Sequence, residues 1–420
     1  MKHSVSVTAL VVVALTAVGG AKAQDLTVEV MHQWVSAGES AAIHEVAKAY
    51  EAQGGVWIDN AIAGGPAAIA NIVSRITGGN PPTANQMPLG KQVDDFVAAG
   101  LLAQLDEAGD ETGFWDNIPE VFLDAVTYPD GHKYALPINN HGQSWVWYNK
   151  QVLADAGVAE PVTWDDFFAA VDAIKASGTA IPIAVGAQPW QLGQTFLSVL
   201  LTKEGPDLYM KVFGDLDTDA VRSPEFRDAV ETYLRLRDYS DEGATNREWN
   251  VAANMVITGQ AGFQFMGDWA KGEFLAAGQE AEVDFGCQIL GSGDGMRYFI
   301  VSSDSIIFPL TPDPARQQAQ QLLARVIMSP EVQIAFNARK GSEPARLDVD
   351  ASQLDACAAK GVEILQVPEQ RIPNVDFLIS PDALGAAGDL AGQAWVDPSL
   401  GVDGFIDGFV RIIEAEQMIQ

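Results

Sequence analysis

The sequence predicts an α/β fold of two lobes with a ligand cleft between them. Three observations carry that expectation. Strand-like segments of alternating apolar residues are followed, repeatedly, by amphipathic segments of helical period. The chain has 420 residues, more than one hydrophobic core normally organises. No low-complexity tether divides it, so several crossing segments should join the lobes.

In order, "DLTVEVMHQW" reads as a strand because Leu26, Val28 and Val30 alternate with polar residues, and "SAGESAAIHEVAKAYEAQGG" as the helix after it. Ser36 or Ser40 can cap that helix, and Gly54 and Gly55 stop it. "VWIDNAIA" is a second strand, and "PAAIANIVSRITGG" a second helix with Pro66 at its start. Two successive strand-helix units predict a largely parallel sheet. "KQVDDFVAAGLLAQL" continues as a helix and its exit, "KYALPINN" as an extended segment, and "QSWVWYNKQVLADAG" as a strand running into a helix. Thr163 caps the helix "TWDDFFAAVDAIKASG", with Asp165 and Asp166 in its first turn. After "IPIAVG" and several helices, "GQAGFQFMGDW" reads as a strand ending in a turn. "YFIVSSDSIIFPL" is again strand-like, and "ARQQAQQLLARVIMS" is the next helix. In such sheets ligands bind beyond the carboxyl ends of the strands.

The chain opens with Lys2, an apolar run and "AKA", the order of a secretory leader spanning residues 1–23. The run is short of the roughly 20 residues that cross a bilayer, so a free periplasmic protein is expected. Removing the leader takes Lys2 and Lys22, and the formal charge goes from -31 to -33. So acidic a chain repels nucleic acid and anionic membrane. Cys287 and Cys357 are the two cysteines, and in an exported chain they predict one disulfide. Closing a loop of that length stabilises by about 4 kcal/mol on the chain-entropy model.

No GxSxG elbow, HExxH pair, P-loop or strand-linked GxGxxG is present. Asp215, Asp217 and Asp219 alternate as in calcium loops, but Ala220 and Phe226 stand where such loops need Gly and Glu. No metal or cofactor is expected. Paired carboxylates for glycoside hydrolysis stay open, because their pairing is spatial. So does a cationic ligand such as a polyamine, on charge alone. The tryptophans point elsewhere. Trp34 and Trp269 close apparent strands, and Trp145, Trp147 and Trp190 lie near other strand or loop ends. An indole at the mouth of a sheet can stack on the C–H face of a sugar. Asp304, in the apolar "VSSDSIIFP", needs hydrogen-bond donors. Lys340 is read in a Gly and Pro rich loop after a helix.

The ordered set "HQWVSAGE", "NPPTANQ", "LPINNHGQSWVWYNK", "MGDWAKGEF", "SSDSIIFP", "FNARKGSEPARLD" and "LDACA" resembles the periplasmic sugar-binding proteins of bacterial ABC importers, of the glucose-binding type. The resemblance implies a two-lobed periplasmic binding protein fold with a hinge of crossing segments. It implies a non-catalytic monomer that closes on a carbohydrate and delivers it to ABC permease subunits. Residues 24–136 and 290–335 would form one lobe, and 137–289 and 336–420 the other. Trp34 and Trp269 would stack on the sugar, Glu39 would accept its hydroxyls, and Asp304 and Lys340 would form charge-assisted hydrogen bonds. The disulfide is also the family's. His141 and Trp190 are further candidate contacts. Gln33 stands where glucose binders carry a second tryptophan, Lys91 substitutes for a displaced lysine, and Phe377 falls nearest an expected histidine. These departures point to a carbohydrate other than glucose.

Overall fold

The computed structural model describes residues 26–292, 295–350, 352 and 354–419. The leader expected at residues 1–23 lies outside them, as do two residues of the "GSGDG" loop. Twelve strands among the described residues form three sheets: β1 (Thr27–His32), β2 (Val56–Ala61), β3 (Ala84–Pro88), β4 (Ala135–Pro137), β5 (His141–Gly142), β6 (Val146–Asn149), β7 (Ile181–Ile183), β8 (Ala261–Phe265), β9 (Phe285–Gln288), β10 (Phe299–Ser302), β11 (Asp304–Ile307) and β12 (Arg371–Pro373). The first sheet has the order β2-β1-β3-β11-β4, and the second β7-β8-β6-β9. A small third sheet, β12-β10-β5, is built from segments passing between them.

The first two strand-helix units fold as their sequence demands, with β1 parallel to both β2 and β3. The expectation of a largely parallel sheet holds only for that half. β11 enters between β3 and β4 and runs antiparallel to both. The second sheet is likewise mixed, with β6 antiparallel to β8 and β9. A strand arriving from a distant part of the chain is not bound to the direction that a βαβ crossover imposes.

"YFIVSSDSIIFPL" is two strands in different sheets. β10 pairs with β5 and β12, and after Ser303 the chain enters the first sheet as β11. Both pieces are fully buried, and no glycine or proline marks the break at Ser303. Trp269, read as closing a strand, begins the helix Trp269–Ala276, with three residues between it and the end of β8. Lys340, read in a loop, is the last residue of the helix Pro330–Lys340, which stops at left-handed Gly341. The expected lobe division at 335/336 falls inside that continuous helix.

Local signals set the helix starts near the cleft. Ser36 and Glu39 form a capping box at Ala37–Ala52, Thr163 and Asp166 another at Trp164–Ser177, and Ser329 caps Pro330–Lys340. Asp217, from the acidic triplet, caps the short helix Thr218–Val221. The second sheet is buried on both faces. Trp145 and Trp147 face the core that continues under the first sheet, while Val146 and Tyr148 face the helical core around Phe196 and Phe409. Cys287 and Cys357 are bonded, tying β9 to the helix Ala356–Leu365 with Cα atoms 6.0 Å apart. Among the described residues no helix is long and apolar enough to cross a membrane.

Candidate functional site

The segments leaving the carboxyl ends of β1 and β8 converge with Gln86 of β3, the start of β11 and the end of the helix Pro330–Lys340. Trp34 and Glu39 come from the β1 connection. The Trp34 N–H donates to His32 Nδ1 at 3.2 Å, and His32 Nε2 lies 2.8 Å from Asp59 Oδ1. The indole is 1% exposed and packs at 5.3 Å on Phe336. Glu39 has two duties. Its Oε2 accepts the Ser36 N–H of the capping box at 3.4 Å, while Oε1 accepts from Lys340 Nζ at 3.1 Å.

Lys340, 3% exposed, is the bridge. Its Nζ lies 5.9 Å from the Trp34 ring, 5.7 Å from the Trp269 ring and 3.9 Å from Asp304 Oδ2. Burial works against the ammonium, but Glu39 and Asp304 outweigh it and hold its pKa above the ordinary value. Asp304 opens β11 inside the first sheet. Gln86 Nε2 donates to its Oδ1 at 2.9 Å, and Asn139 Nδ2 to its Oδ2 at 2.9 Å. Burial pushes this carboxyl up, yet His141, Lys340 and Asn139 hold it well below the usual carboxylate range.

His141, on the crossing strand β5, joins the two sheets electrostatically. Its Nε2 lies 3.0 Å from Asp304 Oδ2, and its Nδ1 makes a very short contact with Asp268 Oδ1. Asp268 is fixed in turn by the Gly142 N–H at 2.7 Å. Burial opposes the charge on His141, but the Asp268 and Asp304 carboxylates outweigh it and raise the pKa. Trp269 stands edge-on to the imidazole at 5.0 Å and reaches Trp190 at 6.5 Å. Behind this layer, buried Lys271 pairs with Asp355 at 2.9 Å.

All five principal residues expected from the sequence, Trp34, Glu39, Trp269, Asp304 and Lys340, therefore meet in one cluster. His141 joins it, and Trp190 stands at its rim. The other candidates lie outside. The Gln33 amide oxygen rests against Gly65. Lys91 donates its ammonium to Leu378 O at 2.8 Å, and Phe377 packs at 6.4 Å on Phe122. Gln86, Asn139 and Asp268 were missed as individuals. Their only signal was membership of the quoted motifs "NPPTANQ", "LPINNHG" and "MGDWAKGEF".

The His141 linkage has a definite sign. The folded pKa lies above the ordinary value near 6.5. Its stabilisation is therefore complete below about pH 6.5 and lost as pH rises through the folded value. Glu343 and Asp376, also raised by burial, shift stability in the same direction from lower pH. The His141 contribution is read as the difference between the parent and His141→Gln in urea unfolding from pH 5 to 9. That difference should shrink towards alkaline pH; a constant difference would refute the charged imidazole.

The cluster offers ionised carboxylates as acceptors, an ammonium and amides as donors, and indole faces, all in one cleft. That set suits a neutral ligand rich in hydroxyl groups. Residues 34–333 match the family model of the bacterial extracellular solute-binding proteins. A probable sugar-binding periplasmic protein of Rhizobium meliloti (strain 1021) is 40% identical over 368 residues, 87% of this chain and 86% of that protein. One of the same description from Brucella suis biovar 1 (strain 1330) is 43% identical over 338 residues, 80% of this chain and 78% of that protein. Among solved structures, a chitin oligosaccharide binding protein superposes with a TM-score of 0.79 at 20% identity, covering 93% of this chain and 99% of that one. The bacterial solute receptor AcbH, described as preferring β-D-galactopyranose, gives 0.78 at 20% identity, covering 94% and 99%. The matched length, the relatives and the two-lobed α/β fold agree: this chain belongs to the bacterial extracellular solute-binding proteins.

Proposed function

We propose that this protein is the periplasmic, sugar-capturing component of an ABC importer, closing two lobes on a carbohydrate and presenting it to the permease without chemical change. The observation that carries this reading is the ion cluster of Glu39 with buried Lys340 and Asp304, whose ammonium lies 5.9 Å from the Trp34 ring and 5.7 Å from the Trp269 ring. Sugar hydroxyls would share the carboxylates and the ammonium, and the indole faces would take the apolar side of the ring. The names of the 40% and 43% identical relatives support the ligand class. The lobes in this reading follow the first and second sheets, with β5, β10 and β12 as the hinge and one crossing at Gly341.

The test is a thermal-shift screen across monosaccharides, sugar alcohols and short oligosaccharides, followed by titration of tryptophan fluorescence. A ligand that binds only the folded state raises the melting temperature. Trp269→Ala should weaken binding of the best sugar by about tenfold, the loss of one stacking face. Sustained turnover of chromogenic glycosides by the pure protein would instead favour a glycoside hydrolase.

A further inference from the structure

The aromatic residues of the cleft form a graded series from interior to surface. Trp34 is 1% exposed, Trp269 is half-buried, and Trp190 is 38% exposed and lies 6.5 Å from Trp269. An exposed indole is usually free to change rotamer, but this one is held. Its Nε1 donates to Gln188 Oε1 at 3.0 Å, and the same oxygen accepts from Gln191 Nε2 at 2.8 Å. Gln188 Nε2 in turn donates to Glu248 Oε1 at 2.9 Å.

The backbone beneath Trp190 is equally constrained. It sits in the first turn of the helix Pro189–Glu204, which crosses the helix Pro381–Val396 with almost no separation. A Cβ at Gly193 would lie 3.0 Å from Gly388 Cα, and one at Gly388 would lie 3.2 Å from Pro189 O. Two helices touching backbone to backbone fix where the indole stands. The polar edge of the ring is occupied by Gln188, so a flat apolar face is what remains on offer. Beside it lie the Glu248 carboxylate and the Gln188 amide, groups able to bond hydroxyls.

We infer that Trp190, Gln188 and Glu248 form an outer subsite, and that the natural ligand is a saccharide of at least two rings. The inner ring lies among Trp269, Lys340 and Asp304, and the next ring stacks on Trp190. This rests on the sugar-capture reading and extends it to ligand length. A single ring held at the inner cluster would leave the anchored outer indole without a task.

Titration calorimetry decides it with matched probes: glucose against maltose and cellobiose, galactose against lactose and melibiose, and xylose against xylobiose. The parent should bind one disaccharide at least about tenfold more tightly than its monosaccharide, the gain from a second stacked ring. Trp190→Ala should lower affinity for that disaccharide about tenfold more than for the monosaccharide, and Trp190→Tyr should restore most of the difference. Equal losses for both lengths, or a monosaccharide bound as tightly as every disaccharide, would overturn the outer subsite and leave sugar capture standing. No binding to any saccharide would remove both.

Discussion

Asp304→Ala is expected to reduce affinity for the best sugar by about a hundredfold or more, since it removes two charge-assisted hydrogen-bond acceptors at once. The same substitution takes the shared carboxylate from Lys340 and His141, both buried. Removing one member of a buried ion cluster leaves charge uncompensated, and the folded chain should lose about 3 kcal/mol in urea unfolding at pH 7. Asp304→Asn keeps the shape and removes only the charge. Because the folded pKa of Asp304 is depressed, its contribution is present above the unfolded value near 4 and disappears as pH falls through the folded value. The stability gap between the parent and Asp304→Asn should therefore be open at pH 7 and much smaller at pH 2.5. A variant that binds sugar and unfolds like the parent would show that Asp304 is peripheral.

Gly272→Val should have the second largest effect, on closure. Gly272 lies in the helix after β8, where a Cβ would meet Lys340 O at 2.7 Å and Arg339 O at 2.8 Å. On the opposite side, a Cβ at Gly38 would meet Gly272 C at 2.7 Å. Beside this contact, the Gly38 N–H donates to Glu273 Oε1 at 2.8 Å, a bond between the helices Ala37–Ala52 and Trp269–Ala276. Real Cβ atoms do not approach backbone so closely, so any side chain at 272 must push this helix away from the helix Pro330–Lys340. Gly272→Val is expected to weaken sugar binding by about tenfold to a hundredfold, as overpacking by 1–3 kcal/mol implies. Small-angle X-ray scattering should show a larger radius of gyration at saturating sugar. An unchanged radius and affinity would mean that closure does not use this contact. Glu273→Gln tests the neighbouring bond separately and should accelerate sugar release.

Much of this was legible in the chain. Helix starts declare themselves through short-range chemistry, as at Ser36 with Glu39 and Thr163 with Asp166, where both partners sit three residues apart. The principal cleft residues were legible because they lie in ordered motifs. Features made by distant partners were not. His141 meets Asp268 across 127 residues and Asp304 across 163, and neither pairing has a local signature. The change of sheet at Ser303 was hidden because two wholly buried strands read alike. Lys340 was placed in a loop because Gly341 and Pro344 follow it, although Gly341 is what ends its helix. Lys91 and Phe377 were drawn towards the cluster by motif position, and the fold gave them other partners.

Ser303 has a mechanical side. β10 belongs to the sheet of crossing segments and β11 to the first sheet, and Asp304 is the first residue past the join. Whatever tugs on the Asp304 carboxylate acts on a lever one residue long, with its fulcrum at Ser303. The Ser303 hydroxyl is clamped to Asn139 O at 2.7 Å, and Asn139 Oδ1 accepts the Asp304 N–H at 2.8 Å, so the fulcrum is braced against the neighbouring crossover. A load applied at Asp304 is thus transmitted to β10 and to the segment around Asn139 with little slack.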